Sequence, residues 1–223
     1  MDSASKEDMN LYYSGLLKKY GATKEAVAYK KEIQQLNRYG ALANIEPISR
    51  CSSVLDVGCG LGYFANFLSD NGWQGTYTGI DINPELVDVA GKRFTKGKFL
   101  CMDLLTDTLD EKYDYVFCGA TLQHKPKYDD PLPYLEKMIA RMFSLTKRGL
   151  GFDVFSDRVD YKLDVSLYVS PSYLLEFCYG LTQRLVFRND LRPYEIMIYM
   201  YKDVSKDSLN TYMNPTIPAP VIL

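Results

Sequence analysis

The sequence lacks the features that mark several classes of protein. Its 26 Lys and Arg residues against 28 Asp and Glu residues give a net charge of -2, so it has no strongly basic balance of the kind that nucleic-acid-binding proteins carry. It has one histidine, and its acids are scattered, so no group of residues has the spacing of metal ligands. No apolar run approaches the length of a membrane span. We therefore expect no metal site and no membrane span, and the charge balance disfavours a nucleic-acid partner.

Paired cysteines are also absent. The five cysteines are scattered and include no C-x-x-C pair: Cys51, Cys59, Cys101, Cys118 and Cys178. We interpret them as free, buried thiols of a cytosolic protein. Residues 1–9 are polar and charged, unlike a signal peptide, so we predict a cytoplasmic location. Nothing in the sequence defines an oligomeric state.

The length of 223 residues suits one α/β domain with a sizeable core. Residues 1–50 contain helical patterns but are too short for an independent domain, so we expect a helical cap over the ligand end of a sheet. We expect residues 1–8 within it to be disordered. Residues 51–202 are predicted to form the core. Residues 203–223 carry three prolines and no strong periodicity, which predicts an extended or disordered tail.

Strand and helix patterns alternate through the predicted core. The strand patterns cover residues 53–57, 77–80, 98–101, 112–117 and 149–155, and the main helical patterns cover residues 63–70, 85–94 and 131–145. This order predicts a parallel sheet with helices on both faces. Two later strand patterns, joined by a short link, predict a hairpin over residues 182–201. Ligands of such sheets bind outside the carboxyl ends of the strands.

A glycine-rich stretch follows the first predicted strand. The apolar run Val54–Val57 leads into Gly58, Gly60 and Gly62, and a helical pattern comes next. Glycines have no Cβ, so a ligand can lie against the backbone. The G-x-G-x-G spacing differs from the G-x-G-x-x-G of the dinucleotide fingerprint. An acid, Asp56, stands two residues before the first glycine.

This combination of strand, acid and glycines closely resembles motif I of the class I S-adenosylmethionine-dependent methyltransferases. The motif reads Asp-Val-Gly-Cys-Gly-Leu-Gly over residues 56–62, and the resemblance covers about residues 54–201. It implies a Rossmann-like α/β fold: a seven-stranded, mostly parallel sheet with a C-terminal antiparallel hairpin. It also implies S-adenosylmethionine as the cofactor.

The resemblance implies roles for twelve residues in binding that cofactor. The glycines would pass under its methionine part and ribose, and Asp56 would meet its amino group. Asp81 would accept both ribose hydroxyls, because a carboxylate offers two oxygens to a diol, and Asp103 would accept from the adenine amino group. The full set is Asp56, Gly58, Cys59, Gly60, Gly62, Asp81, Ile82, Met102, Asp103, Leu104, Cys118 and Gly119. Because these residues follow successive predicted strands, we expect them on one rim of the sheet.

His124 is the candidate catalytic base. It comes shortly after the fourth predicted strand, and the unperturbed pKa of histidine suits a base near neutrality. A purely structural role in the loop is the alternative. In the cap, Tyr12, Tyr13, Gln35 and Arg38 are candidates for an inner face. Arg38 could bind the carboxylate of the cofactor bidentately or simply be solvated.

We predict transfer of a methyl group from S-adenosylmethionine to an O, N or C nucleophile of a small molecule. Methylation of RNA or protein is an alternative, although Cys118-Gly119-Ala120-Thr121 stands where base and glutamine N-methyltransferases carry an N-P-P-Y type motif. A non-catalytic S-adenosylmethionine-binding module is a second alternative. A NAD-dependent oxidoreductase is a third, which the glycine spacing disfavours.

Overall fold

A computed structural model describes residues 1–45 and 53–202 of the chain. The described residues contain six α-helices and eight strands. The helices are α1 (Ser3–Tyr20), α2 (Glu32–Ala43), α3 (Tyr63–Asp70), α4 (Pro84–Arg93), α5 (Pro131–Leu145) and α6 (Pro171–Leu181). The strands are β1 (Ser53–Val57), β2 (Thr76–Asp81), β3 (Lys98–Cys101), β4 (Tyr113–Cys118), β5 (Thr146–Ser156), β6 (Tyr168–Val169), β7 (Leu185–Arg188) and β8 (Glu195–Tyr201).

The strands form one mixed sheet with the order β3-β2-β1-β4-β5-β8-β7. Strands β1 to β5 run parallel to one another, whereas β8 pairs antiparallel with both β5 and β7. Val54 of β1 pairs with Tyr77 on one side and with Tyr115 on the other. The strand order therefore reverses between β1 and β4, the position at which open α/β sheets bind their ligands.

Helices cover both faces of the sheet. One apolar cluster packs the buried face of α5, which includes Leu135, Ile139 and Met142, against the central strands. A second cluster packs α2 and α3 on another surface of the sheet, through residues such as Leu42 and Phe64. Parallel strands covered on both faces are apolar along their length, which explains the continuous burial of β1 and β4.

The predicted Rossmann-like fold with its antiparallel C-terminal hairpin is confirmed. Seven strands follow one another in the sheet, as expected, and the structure adds β6, which pairs with β5 through Phe155 and Tyr168. Two residues are too few for an alternating pattern to be seen in the sequence. Strand β6 was therefore missed.

The prediction that residues 1–8 are disordered is wrong. Helix α1 begins at Ser3, and the side chain of Asp2 accepts hydrogen bonds from the backbone N–H of Ala4 (2.8 Å) and of Ser5 (3.0 Å). Such a cap satisfies N–H groups that the first turn of a helix leaves unpaired. Lys127 also contacts Asp8, at 3.1 Å. The polar composition of residues 1–8 did not indicate disorder, because polar contacts hold the start of this helix in place.

Several predictions fall partly or wholly outside the described residues. Residues 46–52, which include Cys51, and the predicted tail at residues 203–223 lie there. The division into cap, core and tail stays a prediction. The described cysteines are free, and Cys101 among them is exposed rather than buried as expected. No described helix is long and apolar enough to cross a membrane, and the described residues hold no group of three or more metal-ligating side chains.

Candidate functional site

The glycine loop closes tightly over the end of β1. Gly58, Gly60 and Gly62 all have positive φ values, of 76°, 51° and 73°, a region that side chains with a Cβ rarely adopt. The backbone N–H of Gly58 donates to the carbonyl of Ile80 at 2.8 Å. A Cβ built on Gly58 would lie 1.9 Å from Oγ1 of Thr121. Glycine is therefore required at position 58 both by backbone conformation and by space.

Asp81 ties the glycine loop to the end of β2. Its Oδ2 accepts from the backbone N–H of Gly60, and its Oδ1 accepts from the backbone N–H of Asn83, both at 2.9 Å. Each carboxylate oxygen has a further lone pair. Asp81 can thus hold the loop and still accept from a pair of ligand hydroxyls.

Asp56 lies buried behind the loop and is 5% exposed. The hydroxyl of Tyr77 donates to its Oδ2. Burial, with a smaller contribution from the charge of Asp81, raises the pKa of Asp56 to about 7 against the lowering effect of the Tyr77 hydrogen bond. A cationic ligand group beside Asp56 would favour the ionised carboxylate.

Asp103 follows β3 and completes a set of three acids. It is 4% exposed, and its Oδ1 accepts from the backbone N–H of Leu105 at 3.0 Å. Its Oδ2 lies 3.3 Å from the terminal amino group of Met1. The start of α1 therefore lies against the acid that the sequence assigns to the adenine amino group.

These groups line one cavity of about 120 Å³ at the carboxyl ends of the strands, which we name the cofactor cavity. Ten of the twelve predicted cofactor residues line it: Asp56, Gly58, Cys59, Gly60, Asp81, Ile82, Met102, Asp103, Leu104 and Gly119. Tyr13 and His124 line it as well. The donor set fits the predicted cofactor, because separate carboxylates are available for an ammonium, a diol and an amine.

The other predicted residues lie elsewhere. The backbone of Gly62 faces Ala90 and Phe99 rather than the cavity, which makes its contribution one of close packing. Cys118 belongs to the apolar core. Gln35 is buried but lines neither this cavity nor its neighbour.

Arg38 is the clearest correction. Its guanidinium pairs with Asp153 at 2.9 Å and with Glu195, and it donates to the hydroxyl of Tyr29 at 2.6 Å. It does not line the cofactor cavity. Its charge is balanced by acids of this chain, so the bidentate contact to a cofactor carboxylate is not supported, and the solvated alternative is wrong because Arg38 is 6% exposed.

The same ion pair holds the loop after β4. Asp153 of β5 is 1% exposed. It accepts from the backbone N–H of Ala120 at 2.7 Å and from the side-chain amide of Gln123. Ala120 has a positive φ of 63°. Asp153 therefore fixes a strained turn that leads directly to His124.

A second cavity of about 750 Å³ adjoins the first, and we name it the outer cavity. Five residues line both: Tyr13, Val27, Tyr29, Ala120 and His124. Tyr12 lines only the outer cavity. His124 is half-buried, and burial lowers its pKa, against a raising effect of Asp8. A neutral imidazole is thus present at the junction near pH 7.

Sequence reasoning missed several residues that line the cofactor cavity, among them Tyr29, Thr121 and Met138. Tyr29 lies between the turn at Lys24–Val27 and α2, in a stretch without periodicity. Oγ1 of Thr121 lies 3.3 Å from the carbonyl oxygen of Val57. Only the position of Thr121 close to Gly119 in the sequence could have indicated that it lies at the site. Met138 lines the cofactor cavity from α5, although its helical spacing predicted a core residue only.

Comparisons with known proteins agree with this geometry. A family model described as a methyltransferase domain matches residues 54–149. Protein 235L of Invertebrate iridescent virus 6, assigned as a methyltransferase, is 32% identical over 182 residues, which cover 77% of this chain and 68% of the viral protein. The malonyl-[acyl-carrier protein] O-methyltransferase of Acetivibrio thermocellus is 40% identical over 72 residues. That match spans 31% of this chain and only 25% of the relative.

Solved structures show the same fold. The complex of DhpI with S-adenosylhomocysteine is 21% identical, has a TM-score of 0.65, and is matched over 89% of this chain and 97% of its own. Magnesium protoporphyrin IX methyltransferase from Synechocystis PCC 6803, with bound S-adenosylmethionine, is 17% identical with the same TM-score, over 90% and 99% of the two chains. The glycine loop, the acids and the sheet order all match what these relatives lead us to expect. The chain therefore belongs to the class I S-adenosylmethionine-dependent methyltransferases.

Proposed function

We propose that this methyltransferase moves the methyl group of S-adenosylmethionine to a nucleophile of a small molecule held in the outer cavity. The observation that carries the proposal is the shared wall of the two cavities, which includes Tyr13, Ala120 and His124. A group bound in each cavity would meet its neighbour at that wall. Catalysis by alignment of reactants requires such an arrangement.

In this proposal the predicted acids bind the cofactor. Asp56 binds its ammonium, Asp81 its ribose hydroxyls and Asp103 its adenine amino group. The last contact requires the start of α1 to move, because the amino group of Met1 lies beside Asp103. The volume of the cofactor cavity, about 120 Å³, is below the roughly 300–1,000 Å³ of ordinary ligand pockets, which also supports an opening movement of α1.

A small-molecule acceptor is supported by the shape of the outer cavity and by the names of similar proteins. Its volume of about 750 Å³ is within the range of small-ligand sites. Structural neighbours include methyltransferases named for magnesium protoporphyrin IX and for N-acetylserotonin. Their sequence identities of 17% and 16% are too low to indicate the particular acceptor of this chain.

The bound cofactor supplies an activated methyl group on a positively charged sulfur. The chain must therefore orient the acceptor, exclude water and, where the nucleophile carries a proton, remove it. His124 is the residue we assign to proton removal. Its imidazole lies at the junction, and its lowered pKa keeps it unprotonated near neutrality.

Calorimetry with S-adenosylhomocysteine and with NAD tests the cofactor part of the proposal. We expect the wild-type protein to bind S-adenosylhomocysteine at micromolar strength and NAD more weakly. Asp81→Ala should weaken binding of S-adenosylhomocysteine by about 1–3 kcal/mol, because it removes a hydrogen-bonding carboxylate. Asp88→Ala is the matched control, since Asp88 is exposed and pairs only with Lys92 on α4.

A preference for NAD in this experiment would refute the proposal. Equal losses in Asp81→Ala and Asp88→Ala would show that the carboxylate of Asp81 has no specific role in binding the cofactor.

A further inference from the structure

The walls of the outer cavity are rich in aromatic side chains. At its far end, Phe155 stacks on Tyr168 with ring centroids 5.7 Å apart and meets Tyr194 edge to face at 6.0 Å. These rings come from β5, β6 and the residue before β8. Their side chains form a continuous apolar surface with polar hydroxyl tips, a lining that favours flat ring systems.

A second aromatic group lies at the junction with the cofactor cavity. The ring of His124 is 5.6 Å from the ring of Tyr12 and 6.2 Å from that of Tyr13, centroid to centroid. Tyr12 and Tyr13 meet edge to face at 5.1 Å. An occupant of the outer cavity can therefore contact aromatic rings both at the junction and at the group formed by Phe155, Tyr168 and Tyr194.

The buried charges of the outer cavity are balanced. Arg38 pairs with Asp153 and Glu195, and Arg192 contacts Glu195 at 2.9 Å. Two cations and two anions thus neutralise one another on the inner side. The other charged lining groups, among them Lys30, are exposed at the rim. This lining offers no buried net charge to attract an ionic acceptor.

From these contacts we propose that the acceptor is a neutral aromatic hydroxyl compound, whose ring packs between Phe155 and the Tyr12–Tyr13 pair and whose hydroxyl faces His124. The proposal rests on the proposed function and names its substrate class. A phenolic hydroxyl has an ordinary pKa of about 10, so it needs a base for attack near neutrality, and His124 is the base at the junction.

The step balances. The hydroxyl oxygen forms a bond to the methyl carbon, and the bond between that carbon and the sulfur breaks with its electron pair remaining on the sulfur. The sulfonium becomes the neutral thioether of S-adenosylhomocysteine, and the acceptor becomes an aryl methyl ether. The hydroxyl proton passes to the imidazole of His124, which later returns it to water.

Three compounds of nearly the same size test the substrate class: the flat 5-indanol and 5-aminoindane, and the puckered, saturated alcohol octahydroinden-5-ol. Their binding to the wild-type protein saturated with S-adenosylhomocysteine is measured by ligand-observed NMR titration. We expect 5-indanol to bind about tenfold more tightly than the saturated alcohol, because only the flat ring packs on the aromatic walls. Phe155→Leu and Tyr194→Leu should each remove most of this preference. Tyr179→Leu, at an exposed position of α6 outside both cavities, should leave it unchanged.

Methyl transfer from radiolabelled S-adenosylmethionine tests the role of His124. We expect an ether product from 5-indanol and less product from 5-aminoindane. His124→Asn should lower kcat by about 10²–10⁴-fold and remove the acidic limb of its pH profile, with the affinity for S-adenosylhomocysteine unchanged.

The inference is overturned if the saturated alcohol binds as tightly as 5-indanol, if 5-indanol does not bind, or if the amine is methylated faster. In each case S-adenosylhomocysteine still binds, and the proposed function stands. Failure of the wild-type protein to bind S-adenosylhomocysteine overturns both proposals.

Discussion

The cofactor cavity and the outer cavity are built in different ways. The cofactor cavity takes most of its polar groups from the ends of neighbouring parallel strands, such as Asp56 near the end of β1 and Asp81 at the end of β2. The outer cavity takes its lining from α1 and α2, from β5, β6 and the start of β8, and from segments without regular structure. A binding site made from strand ends can be read from a short motif, whereas one assembled from distant loops cannot.

The two cavities also handle charge differently. In the cofactor cavity, Asp81 is held by backbone N–H groups, and Asp56 by a tyrosine hydroxyl. These acids keep acceptor capacity for a ligand. In the outer cavity, Asp153 and Glu195 are neutralised by Arg38. The first arrangement leaves acceptors for positive and hydrogen-donating groups, and the second leaves no buried net charge from Arg38 and its partners.

Replacement of Arg38 should give the largest effect and should separate these two roles. Arg38→Met leaves Asp153 and Glu195 without their buried cation, and removing one partner of a buried pair costs about 3–5 kcal/mol. Urea denaturation should show that loss in the free energy of unfolding, while calorimetry on the folded fraction should show unchanged affinity for S-adenosylhomocysteine. Lys92→Met, which breaks an exposed pair on α4, is the control and should cost less than about 1 kcal/mol. A large loss of affinity with little loss of stability would restore a cofactor role for Arg38.

Gly58→Ala should damage the cofactor cavity next most strongly. The left-handed backbone and the contact with Thr121 together should destabilise the protein by about 2–4 kcal/mol and abolish binding of S-adenosylhomocysteine. Thermal unfolding and calorimetry measure the two effects. Gly91→Ala in α4, where a Cβ meets nothing within 4 Å, should instead stabilise the protein by about 0.5–1 kcal/mol. Similar behaviour of the two variants would contradict the tight closure of the loop.

The pH dependence of cofactor binding gives the smallest of the three effects. The pKa of Asp56 is raised to about 7, so the carboxylate is progressively protonated as the pH falls below 7. Only the ionised form pairs with an ammonium, and affinity for S-adenosylhomocysteine should therefore fall by up to about tenfold per pH unit below pH 7. Calorimetry at several pH values between about 5.5 and about 8 measures this slope. Asp56→Asn should bind more weakly at pH 8 and lose the slope that Asp56 contributes. An unchanged slope in that variant would assign the dependence to another group.

The sequence predicted the sheet well because its signals are local. Each signal lies within a few residues of a strand end. The glycines follow β1 directly, and the acids stand at the ends of the strands that come next in the chain. Parallel connectivity then brings the ends of β1, β2 and β3 to one edge. Prediction failed for Arg38, for which only solvation and a contact to the cofactor carboxylate were considered, because its acidic partners Asp153 and Glu195 lie far away along the chain. It failed for residues 1–8 because a polar stretch can be ordered by a cap and by contacts to distant residues such as Lys127.

The amino-acid sequence by itself determined the family, the mostly parallel sheet with its C-terminal hairpin, and the placement of most predicted cofactor residues around one cavity, since each depends on residues that are adjacent in the chain or at equivalent ends of parallel strands. The tertiary structure alone decided the partners of Arg38, the position of α1 against Asp103 and the existence of the outer cavity. The physical reason is distance along the chain. Tyr12, His124 and Tyr194 line one cavity, and only packing of the whole domain brings side chains so far apart in sequence into contact with a common occupant.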